Sequence, residues 1–81
     1  MKSETDLAIC ERIKLLRVVN DMTRPQFAEI TKTGNEVEPK DVIYIKSIEQ
    51  GRHSPSYDFL IKVKNRFDLS WNWLIEGIGD M

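Results

Sequence analysis

Cysteine is nearly absent: Cys10 is the only one in 81 residues, so no disulfide can form within the chain. His53 is the only histidine, and with one thiol it makes no metal set. Long apolar runs are missing too. None exceeds four residues, the length of Val42-Ile43-Tyr44-Ile45, far short of the ~18 residues that a membrane span needs. The opening segment MKSETDLAIC lacks the apolar stretch of a secretory signal. These absences leave a reducing cytoplasm as the expected setting, with no membrane attachment. A Gly-rich phosphate loop, a Cys-His pair and a convergent carboxylate set are also lacking, so an enzyme fits poorly and no cofactor is expected. What is present is ordinary: 41% hydrophobic beside 31% charged residues argues for a folded domain over a disordered chain. The length suits one domain, 1–81, around a single core.

The formal net charge is −1, so no excess of one sign marks the whole chain. Its distribution is uneven. Lys40, Lys46, Arg52, Lys62, Lys64 and Arg66 face only Asp41, Glu49 and Asp58 over the same stretch, while Glu4, Asp6, Asp68, Glu76 and Asp80 collect elsewhere. Such an asymmetry permits an anionic partner without requiring one.

Helical punctuation runs through the sequence. Ile9, Ile13 and Leu16 recur at i, i+4, i+7, with Leu15 and Val19 beside them, and predict a helix ending near Asn20-Asp21 after a short N-terminal tail of about residues 1–5. Cys10 beside that stripe reads as a small packing residue. Thr23-Arg24-Pro25-Gln26 opens a second helix, with Thr23 as N-cap and Gln26 completing a capping box. It stops by Gly34-Asn35. A polar stretch, Lys32-Thr33-Gly34-Asn35-Glu36-Val37-Glu38-Pro39, follows.

The segment Pro39–Gly51 is ambiguous. Its β-branched residues favour a strand, whereas Pro39 at a first turn, Gly51 past an end and Ile45/Ile48 at i, i+3 place helix modestly ahead. Ser54-Pro55-Ser56 then starts a helix with Tyr57, Leu60, Ile61, Val63 and Phe67 on one broad face. Ser70 and Gly77 bracket a last short helix. The expected fold class is all-α: a compact bundle of about five short helices.

Ordered along the chain, ERIKLLR, MTRPQFAEI, SIEQGRHSPS and FDLSWNWLIEG resemble the Cro/repressor-type (Xre-type, lambda repressor-like) helix-turn-helix family. The resemblance rests on Ile13 and Leu16-Arg17, Thr23 with Phe27-Ala28, Ile48-Glu49-Gln50-Gly51, Pro55-Ser56, and Trp73-Leu74 with Gly77. Between Ala28 and Gly51 the chain is longer than the family pattern by about seven residues, an excess that loop-closure entropy tolerates because its cost grows only logarithmically with length. The polar stretch, about residues 32–39, then becomes an enlarged turn between helices two and three.

The resemblance implies a DNA-binding surface on Arg24, Lys40, Val42, Ile43, Tyr44, Lys46, Ser47 and Arg52. Arg24 would meet a phosphate at the start of the second helix, where the family usually has Gln. Val42, Ile43, Tyr44, Lys46 and Ser47 would face the major groove, and Arg52 a further phosphate. Val42 and Ile43 depart from the polar residues usual there. Either they touch thymine methyls, or they pack beneath the inserted turn and the reading surface shifts towards Lys40 and Asp41. Arg17 and Glu49 resemble a structural ion pair. Lys64 replaces a small residue, which would loosen packing against the second helix. Trp73 matches a core position, and the more exposed Trp71 is a candidate dimer contact.

The expected function is that of a sequence-specific transcriptional regulator of phage or prophage repressor kind. It would bind a palindromic double-stranded DNA operator as a homodimer, its recognition helices ~34 Å apart. An antitoxin-type regulator with a toxin partner, a contact with an antirepressor, or a protein-interaction module that has lost DNA reading are the alternatives. The chain fits a small autonomous regulator or the N-terminal domain of a longer repressor.

Overall fold

Acidic side chains at one end and an apolar stripe along one face make the first helix. In the computed structural model, which describes residues 4–32 and 36–80 apart from the Thr31 side chain, α1 spans Glu4–Val19. It begins inside the expected tail, because Glu4 and Asp6 complement the positive end of the helix dipole. Beyond it, Asp21 adopts a left-handed conformation (φ 57°). The Asp21 amide then donates to the Val18 carbonyl and the Met22 amide to that of Arg17, closing the helix end.

The second helix, α2, is short, Arg24–Ala28, and runs on into a 3-10 turn, Glu29–Thr31. Its start is the expected capping box: Thr23 Oγ1 accepts the Gln26 N–H at 3.3 Å, and Gln26 Oε1 accepts the Thr23 N–H at 2.8 Å. The third element is a helix, α3, Pro39–Glu49. Tertiary burial decides against the strand that local propensity favours, since Ile45 and Ile48 are completely buried at i, i+3. Gly51 (φ 74°) ends it, with the Gly51 amide on the Ile48 carbonyl and the Arg52 amide on that of Ser47.

Helix α4 spans Tyr57–Phe67 and is capped by Ser56, whose Oγ accepts the Phe59 N–H at 3.2 Å. The last element, α5, is a single wide π-type turn, Asn72–Glu76. Ser70 Oγ accepts the Asn72 N–H at its start, and Gly77 (φ 73°) closes it. Two of its end carbonyls, Leu74 and Ile75, are taken up by Arg12 Nη1 at 3.1 and 2.9 Å. No strand occurs among the described residues.

One hydrophobic cluster joins all five elements: Ile13 and Leu16 of α1, Phe27 of α2, Ile45 and Ile48 of α3, Val63 of α4 and Leu74 of α5. Phe27 is its centre, with Phe67 stacked at 6.0 Å and Phe59 tilted at 6.3 Å. Helix α2 packs on α3, while α1 packs on α3 and α5. Trp73 is buried and Trp71 half-buried, the expected order.

Two side chains fall elsewhere than the pattern suggests. Tyr57 is 70% exposed instead of lining the buried face, because at the first position of α4 it lies past the edge of the core. Val37 packs against the core from within the polar stretch. The middle of that stretch, residues 33–35, lies outside the described residues.

The far side of the stretch is clipped to α3. The Asp41 carboxylate accepts the Glu38 N–H at 2.8 Å and lies 3.5 Å from Lys32 Nζ. The Glu38 amide hydrogen bond, with Lys32 and Lys40 adding to it, holds the Asp41 carboxyl below the usual aspartate range. A depressed carboxyl stabilises the fold fully above its unfolded pKa and loses that contribution as pH falls through the folded value. Urea midpoints should therefore drop between pH 7 and pH 3 by less in Asp41→Asn than in the wild type; an equal drop would remove the clip from the fold's acid response. Phe27→Ala should destabilise by about 3–5 kcal/mol, measured as urea unfolding followed by tryptophan fluorescence.

Candidate functional site

Glu49 is the last residue of α3, and its side chain is only 1% exposed. A buried carboxylate needs donors, and three N–H groups supply them. Arg17 gives Nε at 2.6 Å and Nη2 at 3.0 Å, a bidentate fork from the end of α1. Arg24 gives Nε at 3.2 Å from the first turn of α2. Arg17 Nη1 also donates to the Met22 carbonyl at 2.9 Å, so the turn joining α1 to α2 belongs to the same network. The Glu49 hydrogen bond raises the Arg17 guanidinium above its ordinary pKa, partial burial opposes it, and the Glu49 charge adds to the rise.

That network fixes which side of α3 faces out. Ile45 and Ile48 point to the core, Glu49 sits on the flank towards α2, and Val42, two turns before Glu49 on that flank, is half-buried. The opposite flank carries Tyr44. Its ring packs edge-on against Phe59 at 5.6 Å and against His53 at 5.6 Å, and its hydroxyl accepts the Ser56 N–H at 3.2 Å. Tyr44 thereby ties α3 to the start of α4.

Between the flanks lies a face of Lys40, Ile43, Lys46, Ser47 and Gln50. Ile43 is 62% exposed, Lys40, Lys46 and Gln50 are exposed, and Ser47 is half-buried. Lys40 Nζ lies 3.1 Å from Glu38 Oε2, and both side chains are open to solvent. Arg52 is exposed just beyond the helix end.

Of the residues expected to act together, Lys40, Ile43, Lys46 and Ser47 share this outer face. Arg24 is engaged by Glu49, Val42 and Tyr44 occupy the two flanks, and Arg52 follows the helix end. Gln50 was not among the expected residues, although its i+7 spacing from Ile43 puts it on the same stripe.

No protein-family model, curated protein or solved structure matches the chain. Its chemistry has to be read from the surface itself. An open groove of 760 Å³ lies between the α1–α2 turn and the end of α4, with Met22, Ile30, Phe67 and Arg66 in its lining. No α3 residue contributes to it. Among the described residues no cluster of His, Cys, Asp and Glu has the grouping that holds a metal ion, and no helix is long and apolar enough to cross a membrane.

The two arginines of the network should differ sharply in their energetic weight. Arg17→Ala removes the bidentate partner of a buried carboxylate and should destabilise by about 3–5 kcal/mol. Arg24 is more exposed, and Arg24→Ala should cost no more than about 1 kcal/mol. Urea denaturation of both variants at one pH checks this; equal losses would mean that Arg24 shares the structural task in full.

Proposed function

We propose that this chain is a DNA-binding transcriptional regulator of the Cro/repressor type. In this reading α2, the long turn and α3 form an enlarged helix-turn-helix, and α3 enters the major groove of a palindromic operator bound by a dimer. One observation carries it. The outward face of α3 presents Lys40, Lys46, Ser47 and Gln50 around Ile43, beside the capped start of α2.

The division of labour follows from the chemistry of these groups. Lys46 donates to guanine acceptors or to phosphate, Ser47 and the Gln50 amide to base edges, and Ile43 makes apolar contact with a thymine methyl. Arg24, steadied through Nε by Glu49, directs its terminal amino groups to a backbone phosphate, as Arg52 does beyond the far end of α3. Val42 and Tyr44 act through packing, holding the flanks of the reading helix. Lys40 must release Glu38 to contact DNA. The buried Glu49 puts no open carboxylate at the back of the face, since two guanidiniums compensate it.

Ile43 favours a second reading. An isoleucine in the middle of an exposed face suits a protein groove as well as a thymine methyl. A module of the same fold that binds a toxin or antirepressor, with or without DNA, would use it so.

Selection of bound duplexes from a randomised pool, followed by anisotropy titration at two salt concentrations, separates the two. The DNA reading expects an enriched palindrome and steeply salt-dependent affinity, with Lys46→Ala lowering the log–log salt slope by roughly 0.9 for each phosphate that the lysine neutralises. Salt-insensitive or absent binding by the folded protein would overturn it in favour of a protein partner.

A further inference from the structure

Four of the seven large hydrophobic side chains exposed among the described residues, Leu7, Leu15, Val18 and Val19, belong to α1. They lie away from the side that buries Ile9, Ile13 and Leu16. Leu7, Glu11, Lys14 and Val18 follow one another at i, i+4, i+7, i+11 and so form a single narrow stripe. All four are exposed, Leu7 at 43% and Val18 at 54%. Glu11 and Lys14 are in no ion pair of the described residues.

The stripe is symmetric. About the midpoint between Arg12 and Ile13, Leu7 mirrors Val18 and Glu11 mirrors Lys14. Two copies of α1 laid antiparallel across a two-fold axis at that midpoint therefore set Leu7 of each against Val18 of the other. They also set Glu11 of each against the other's Lys14, twice over. A parallel pairing would oppose Glu11 to Glu11 and Lys14 to Lys14, so the charges themselves choose the orientation. Leu15 and Val19 add an apolar border on one side. Leu7 borders the turn after α3: a Cβ built on Gly51 would lie 3.0 Å from its Cδ2.

From this we propose that the outer stripe of α1 is a self-association surface, pairing antiparallel with α1 of a second copy through Leu7–Val18 and Glu11–Lys14 contacts. The surface supplies the pairing that a palindromic operator requires, yet nothing in it depends on DNA. A single helix pair is a small interface, so the dimer is weak, with a Kd on the order of tens of micromolar.

Charge exchange tests it, because both residues are exposed and their substitution leaves the core untouched. Sedimentation equilibrium without DNA, at low salt, should show a wild-type dimer. Glu11→Lys and Lys14→Glu should each weaken it at least about tenfold by opposing like charges twice. The double variant E11K/K14E restores every opposite pair and should return the Kd to within about threefold of wild type. Circular dichroism confirms that each variant is folded. A wild-type monomer at millimolar concentration, single variants that dimerise like wild type, or a double variant no tighter than the singles would each overturn the proposal. Since DNA is absent, these outcomes judge the α1 pairing and not the base reading by α3, and failure of duplex selection leaves the dimer untouched.

Discussion

The carboxylate of Glu49 holds the domain's register. Its burial would be strongly unfavourable without partners, and the three N–H groups that compensate it come from two other elements: the last turn of α1 and the first turn of α2. Hydrophobic contacts among Phe27, Ile13 and Ile48 tolerate small rotations of a helix about its axis. A bidentate fork at 2.6 and 3.0 Å does not. The core supplies most of the free energy of folding, and the ion network selects one arrangement from those the core would accept.

The same logic explains how a long polar turn coexists with a well-positioned α3. The end of that helix is held by Glu49 and its start by the Asp41 clip to Glu38 and Lys32, while the Tyr44 hydroxyl ties one flank to Ser56. With its far end and a flank fixed by contacts outside the turn, and its start pinned to the two edges of the turn at Lys32 and Glu38, the number of residues between those edges has little leverage on the direction of the helix. An insertion there changes loop-closure entropy slightly and geometry hardly at all.

Features whose causes are local were legible in the sequence. The Thr23–Gln26 capping box, the Ser56 cap, and Gly51 and Gly77 past their helix ends all depend on residues a few positions apart, and each lies where its residue type requires. The core positions Ile9, Ile13, Leu16, Ile45, Ile48 and Val63 follow from the spacing of apolar residues in the same way. Placement that depends on distant chain was harder to read. Arg24 is as suitable for a phosphate as for a carboxylate until Glu49 is seen beside it. Tyr44 lies at the edge of the outer stripe by spacing alone, and only the approach of Ser56 and Phe59 shows its side chain to be engaged. Lys64, expected to bear on the packing against the second helix, has its Nζ over the Trp71 ring at 5.5 Å, and Tyr57 stacks on the same indole at 6.1 Å. The aliphatic stem of a lysine can cover apolar surface that a small residue would leave open.

Charge links the two surfaces proposed for this molecule. A chain of net charge −1 has no general attraction for a polyanion, so on the DNA reading its affinity rests on a few placed cations around α3. Lys46 and Arg52 are open to solvent, Arg24 is partly committed to Glu49, and Lys40 is screened by Glu38. One protomer with so few contacts would hold DNA weakly. Joining two protomers makes the second set of contacts intramolecular and multiplies affinity without adding a cation. A weak dimer held partly by Glu11–Lys14 pairs would respond to salt in the same sense as the phosphate contacts, since exposed ion pairs and phosphate contacts both weaken as ionic strength rises. Pairing and DNA binding would then weaken together, and the protein's occupancy of an operator would depend on ionic strength and on its own concentration more steeply than either surface alone implies.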